Sequence, residues 1–153
     1  MIPTTLERVP LHTAENVNDQ IRHQMFENIR RFSAQGPEGI EKRLTELDAE
    51  WDIERSLEAN AASAVLASVA LGVMVHRNFL FLPAVIGGFL LQHAIQGWCP
   101  PMPILRRLGF RTEAEINQER YALKALRGDF QRVRNKQNPS SKTVYRAIDA
   151  VRQ

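Results

Sequence analysis

Apolar residues recur along this chain with two different spacings, and the change between them divides it into regions. From about Ala14 to Ala34, Val17, Ile21, Met25, Ile29 and Phe32 fall within an arc of about 120° when wound as a helix, with Arg22, Arg30 and Arg31 outside it. Gly36-Pro37 ends that helix and starts a second, whose stripe is Ile40, Leu44, Leu47 and Trp51. The stripe then fails, because Glu54, Arg55 and Glu58 occupy the same arc. Two courses fit: one helix running on into the next segment, or a bend near Asn60.

Residues 59–76 follow no stripe at all. They carry no fixed charge, and 61–75 read AASAVLASVALGVMV. Wound as a helix they span about 27 Å, close to the thickness of a hydrocarbon core. His76-Arg77-Asn78 interrupts, and 79–98 (FLFLPAVIGGFLLQHAIQGW) span about 30 Å more. Cys99-Pro100-Pro101-Met102-Pro103 cannot continue a helix, so this expectation ends the second span at Trp98. Further on, Thr112-Glu113-Ala114-Glu115 is a capping pattern that opens a helix to about Lys136, striped by Ile116, Leu123, Leu126, Phe130 and Val133. After Asn138-Pro139, residues Val144, Ala147, Ile148 and Val151 give a short last helix. The predicted fold is all-α: a two-helix transmembrane hairpin flanked by cytoplasmic amphipathic helices. Its parts are an N-terminal region 1–58, the hairpin 59–110 and a basic C-terminal region 111–153.

Composition changes this picture only through its distribution. A chain with 44% hydrophobic and 24% charged residues and net charge +3 looks soluble on average. Yet between Glu58 and Arg106 the one fixed charge is Arg77. A soluble bundle would have to surround both spans with about three other helices, which favours the bilayer. Phe79, Phe81 and Trp98 at the span ends, with Arg106 and Arg107 beyond, suit a membrane interface. Basic residues flank the hairpin on both sides (Lys42, Arg43 and Arg55; Arg106, Arg107 and Arg111), which predicts both termini in the cytoplasm. Met1–Pro10 shows no signal-peptide pattern.

Candidate chemistry is sparse. No metal-ligand spacing occurs among the histidines, no cofactor motif is present, and the single cysteine excludes an intramolecular disulfide. Ala64, Ser68 and Gly72 put small residues on one face of the first span, with Gly87 and Gly88 as a low-profile match on the second. They serve either a homo-oligomer seam or packing within the hairpin. Gln92, His93 and Gln96 form a polar cluster at the membrane end, suited to interfacial or interhelical hydrogen bonds. Cys99 is a weak catalytic candidate: a helix C-terminus disfavours a thiolate, and His93 lies six residues away on another face. Arg120, Lys124, Arg127 and Arg134 make a basic face, read as solvated or turned to anionic lipid or an acidic partner rather than to nucleic acid.

Gly97-Trp98-Cys99-Pro100, closing the second span, and Leu105-Arg106-Arg107-Leu108-Gly109 after it give the stretch from about Ala59 to Phe110 a resemblance to the YgaP-like transmembrane family. These are bacterial inner-membrane hairpins with a Gly-x-Cys-Pro end. The resemblance covers about a third of the chain and implies a self-associating hairpin in the bacterial inner membrane. Some relatives join the hairpin to a rhodanese domain that carries persulfide sulfur. This chain has no second cysteine and no rhodanese loop, so only Cys99 maps onto the motif. The expectation is a non-enzymatic membrane protein, self-associating or part of a larger membrane complex, and without cofactor. Its alternatives are a thiol-dependent sulfur-transfer or redox role for Cys99, and a soluble bundle binding nucleic acid.

Overall fold

A computed structural model of the chain describes residues 3–132 and 141–152. Among them the only regular elements are helices: α1 (Glu15–Ser33), α2 (Gly36–Ala49), α3 (Ile53–Met74), α4 (Phe81–Gln96), α5 (Met102–Arg107), α6 (Glu113–Arg127) and α7 (Ser141–Arg152). They assemble into two compact units rather than three consecutive ones. Residues 1–22 join 51–114 in the first, and 23–50 join 115–153 in the second.

The break that separates α2 from α3 falls at 50–52, not near Asn60. Glu50 turns to extended backbone, and the Asp52 carboxylate accepts a hydrogen bond from the Arg55 amide at 2.6 Å. An aspartate at this position satisfies an amide that the first helical turn leaves unpaired. The Ile53 amide is met from another segment, by the Arg111 carbonyl at 2.8 Å. The fading of the α2 stripe at Glu54 thus marks a new helix with its own face. Trp51, released from the stripe, is exposed and carries the Arg55 guanidinium 4.1 Å above its ring.

In the first unit α3 and α4 form an antiparallel hairpin. The 22 residues of α3 span about 33 Å, and α4 with the preceding 3-10 turn (Arg77–Leu80) about 32 Å. Both reach across a bilayer core. The closed end is tight because Gly72 faces Leu80: a Cβ on Gly72 would stand 2.5 Å from Leu80 Cδ2. Of the most apolar 18-residue stretches within Gly36–Met74 and Arg77–Gln96, only 17% and 6% are buried in the protein. A soluble core helix would be mostly buried, so the core alternative fails on exposure. Leu66, Val73, Met74, Phe81 and Leu91 all face outward. At the open end of the hairpin, Val9, Ile53, Leu57, Cys99 and Met102 make a small core, with Trp98, Leu105 and Phe110 packed on it.

The second unit buries Phe32, Ile40, Leu44, Leu47, Ile116 and Leu123 together. These are stripe positions from α1, α2 and α6. Helix α6 stops at Arg127 because Gly128 adopts φ 92°, a left-handed conformation that ends helices, so the expected extension to Lys136 does not occur. Val133, Arg134 and Lys136 lie outside the described residues. Leu126, placed on the buried stripe by its spacing, is instead exposed, while Glu119 and Lys124 are buried.

Candidate thiol site at the open end of the hairpin

An antiparallel hairpin sets the start of its first helix beside the end of its second. Glu54 is one residue into α3 and His93 is three residues from the last of α4, so the two meet across the open end. His93 Nε2 lies 2.8 Å from Glu54 Oε2, and the ring is 4% exposed. Arg8 completes the arrangement from the N-terminal segment. Its Nη2 donates to Glu54 Oε1 at 2.9 Å, and its Nη1 donates to the carbonyls of Ala94 at 2.9 Å and His93 at 3.4 Å. Those carbonyls belong to the last turn of α4, where partial negative charge collects and a cation is stabilising. Arg8 therefore caps the end of α4 with positive charge.

Gly97 reverses the chain at the end of α4. Its φ of 81° ends α4 at Gln96, two residues before the expected end at Trp98. The Gly97 amide closes the helix onto the His93 carbonyl at 2.7 Å. A Cβ at Gly97 would overlap the backbone of Arg8, so the left-handed turn and the close passage of the N-terminal segment both require glycine. After this reversal Cys99 is buried, 2% exposed.

The protonation pattern follows from the partners. A carboxylate held by Arg8 is acceptor-only, so His93 Nε2 carries the proton that Glu54 receives. Nδ1 is buried and has no hydrogen-bond partner among the described residues. Cys99 packs at the same end of the hairpin, in a small core with Val9 and Ile53. Beside it lies a cavity of about 420 Å³, lined by Leu57, Asn60, Ala61 and Ala64 of α3, Ile86, Phe89 and Leu90 of α4, and Cys99-Pro100-Pro101.

The remaining predicted residues are dispersed. Gln92 is half-buried and Gln96 exposed, so only His93 of that polar trio enters the site. Arg107 is exposed, but Arg106 is 1% exposed and does not face an interface. Its guanidinium donates to Asn18 Oδ1 at 2.9 Å, Thr13 Oγ1 at 3.1 Å and the Phe110 carbonyl at 3.1 Å, tying the N-terminal segment to the chain after α5. Trp98 is half-buried against the open-end core. Ser68 and Gly72 are buried, Ala64 is exposed, and a Cβ on Gly87 or Gly88 would meet only open space. Gly72 packs within the hairpin, while the two glycines of α4 offer no match to it.

The basic face is largely consumed inside the second unit. Arg120 pairs with Asp48 at 2.8 Å, and Arg127 pairs with Asp129 at 2.6 Å and with Glu41. Lys124 is 2% exposed and donates to the Val151 carbonyl at 2.6 Å, its pKa lowered by burial. Arg134 lies outside the described residues. Among those residues no His, Cys, Asp and Glu cluster could hold a metal ion. Sequence reasoning missed Arg8 and Glu54. Neither contact is written in local spacing.

Residues 52–115 match the family model described as inner membrane protein YgaP-like, transmembrane domain. That match covers the hairpin, the Cys99 turn and α5, and this segment is similar to that membrane-protein domain. No curated protein and no solved structure matches the chain.

Proposed function

We propose that the protein is a structural or adaptor component of the inner membrane, anchored by its hairpin, with both termini in the cytoplasm. The observation that carries this reading is exposure: the two spans leave most of their apolar surface uncovered, for lipid and for protein neighbours. Gly87 and Gly88, open on the outer face of α4, let a second helix approach closely, which supports self-association. In the second unit Arg43, Arg120 and Arg127 are held in internal ion pairs, which suits a scaffold. Extraction of membranes with alkaline carbonate should leave the protein in the pellet, and cross-linking in the membrane should capture a dimer or larger complex that Gly87→Leu weakens. Release by carbonate would end the anchor reading. Monomeric behaviour with no co-purifying partner would end the adaptor reading.

A second reading rests on a separate observation, the buried Cys99 thiol packed against Val9 and Ile53 at the hairpin end where Arg8, Glu54 and His93 gather. In it Cys99 performs thiol chemistry at the membrane boundary. Alkylation by iodoacetamide tests it. Cys99 in the folded protein should react faster than in the unfolded chain, and a slower reaction would dispose of the idea.

A further inference from the structure

We propose that α7 is a membrane-surface helix whose outward apolar face binds a bilayer containing anionic lipid; this rests on the hairpin-anchor reading above. Wound as a helix, Val144, Ile148 and Val151 fall within an arc of about 60°, with Tyr145 at its flank. All four are exposed, by 43–67%. An amphipathic helix of a globular unit ordinarily docks by its apolar face. Helix α7 docks by an edge instead. Ala150 is buried, and Thr143 and Ala147 are half-buried. The Lys124 ammonium donates to the Val151 carbonyl at 2.6 Å, a cation on the last turn of the helix, and α7 packs on the 3-10 turn Asp129–Arg132. The contacts that hold α7 in its unit therefore leave the apolar face turned outward.

Charge selects lipid as the occupant. Opposite the apolar face α7 carries Lys142, Arg146 and Asp149, all exposed, so its polar side is net positive. An apolar face backed by cations is the pattern of helices that lie in the plane of a membrane, their apolar side chains at the acyl boundary and their cations among the headgroups. Each Lys or Arg near an anionic surface favours the bound state by about 5-fold. Tyr145, on the border between the two faces, presents a ring and a hydroxyl suited to headgroup level. A face of three aliphatic side chains is narrow for a free helix. Here the hairpin supplies the second attachment within the same chain, which makes the contact with lipid intramolecular in effect and lets a weak face bind.

The full-length protein is placed in nanodiscs of phosphatidylcholine, with or without phosphatidylglycerol, and amide hydrogen exchange is followed by mass spectrometry. Exchange in α7 should slow when phosphatidylglycerol is present, while α2 and α6 stay unchanged. High salt should remove the difference by screening the headgroups. Lys142→Gln and Arg146→Gln should each reduce the protection about 5-fold. Ile148→Ser, at an exposed position, should reduce it while far-ultraviolet helicity holds. Equal exchange in the two lipids would overturn the proposal. So would equal protection in both discs and in detergent, which would mean that the protein covers this face itself. Protection that needs two copies per disc, whatever the lipid, would assign the face to a second copy and overturn it as well. Each of these outcomes spares the anchor as long as carbonate leaves the protein in the pellet. Release by carbonate removes the tether, and both readings fall.

Discussion

The two units handle charge in opposite ways. In the unit of residues 23–50 and 115–153, ion pairs are spread over the helices that pack its core: Arg43 with Glu46, Glu50 and Glu119, Arg120 with Asp48, Arg127 with Asp129. Most have at least one partner near water, where each pair contributes little and salt weakens it further. In the hairpin unit the side-chain polar contacts of α3 and α4 to other elements gather at one end, around Glu54 and His93. Between the two ends the helices are apolar, because lipid offers nothing to satisfy a charge. A side-chain polar group on α3 or α4 is thus either near a span end or bonded to its own helix, as Ser68 Oγ is to the Val65 carbonyl. Concentrating the polar groups is what puts a guanidinium, an imidazole and a carboxylate in one place.

Perturbing each unit at its own critical point should separate them. The largest effect is expected for Gly97→Val, which combines a disfavoured left-handed backbone with collision against Arg8. Loss of about 3 kcal/mol or more, read by thermal unfolding in detergent, should come with rapid proteolysis of the N-terminal segment. Intact protection of that segment would show that Gly97 is not what docks it. Next is Arg43→Met, which removes the guanidinium whose Nε lies 2.7 Å from the fully buried Glu119 carboxylate. Breaking a buried pair costs about 3 kcal/mol. Amide hydrogen exchange should quicken in α2 and α6 while α4 stays protected. Equal quickening in α4 would mean that the two units unfold as one.

A smaller effect belongs to Gly72→Val, which meets the flexible tip of Leu80 rather than backbone. Overpacking there should cost about 1–2 kcal/mol, and cysteine pairs across α3 and α4 should cross-link less readily at the closed end. The smallest is Asp129→Asn. The Arg127 guanidinium holds the Asp129 carboxyl below the usual carboxylate range. Its contribution is therefore present above the unfolded carboxylate pKa and lost as pH falls through the folded one. Denaturant unfolding should show a loss of about 1 kcal/mol or less at neutral pH. The difference between variant and parent should vanish at strongly acid pH. A difference that persists in acid would assign the effect to packing, not charge.

The hairpin was legible because bilayer length and absence of charge are local properties of 59–98. The stripes of α1 and α2 were legible for the same reason: periodicity is written in neighbouring residues. What the sequence hid was where helices stop. Asp52 as an N-cap and Gly97 and Gly128 as left-handed ends each move a boundary by a few residues, and each move relocates side chains. Extending α6 past Gly128 is what made Arg127 part of a continuing basic face. Contacts between distant segments left no local trace at all. Arg8 reaches Ala94 and Arg43 reaches Glu119 across most of the chain, and neither pairing follows from spacing.

The Arg8 clamp carries a consequence for the order of assembly. The residue emerges from the ribosome before either span, yet the carbonyls it binds are made 85 and 86 positions later. Contacts so remote in sequence close late, after both spans exist and have met. Until then the terminal turn of α4 and the His93 ring stand open. Completion of the second span, rather than of the first, is therefore the event that can latch the N-terminal segment and seal the thiol inside.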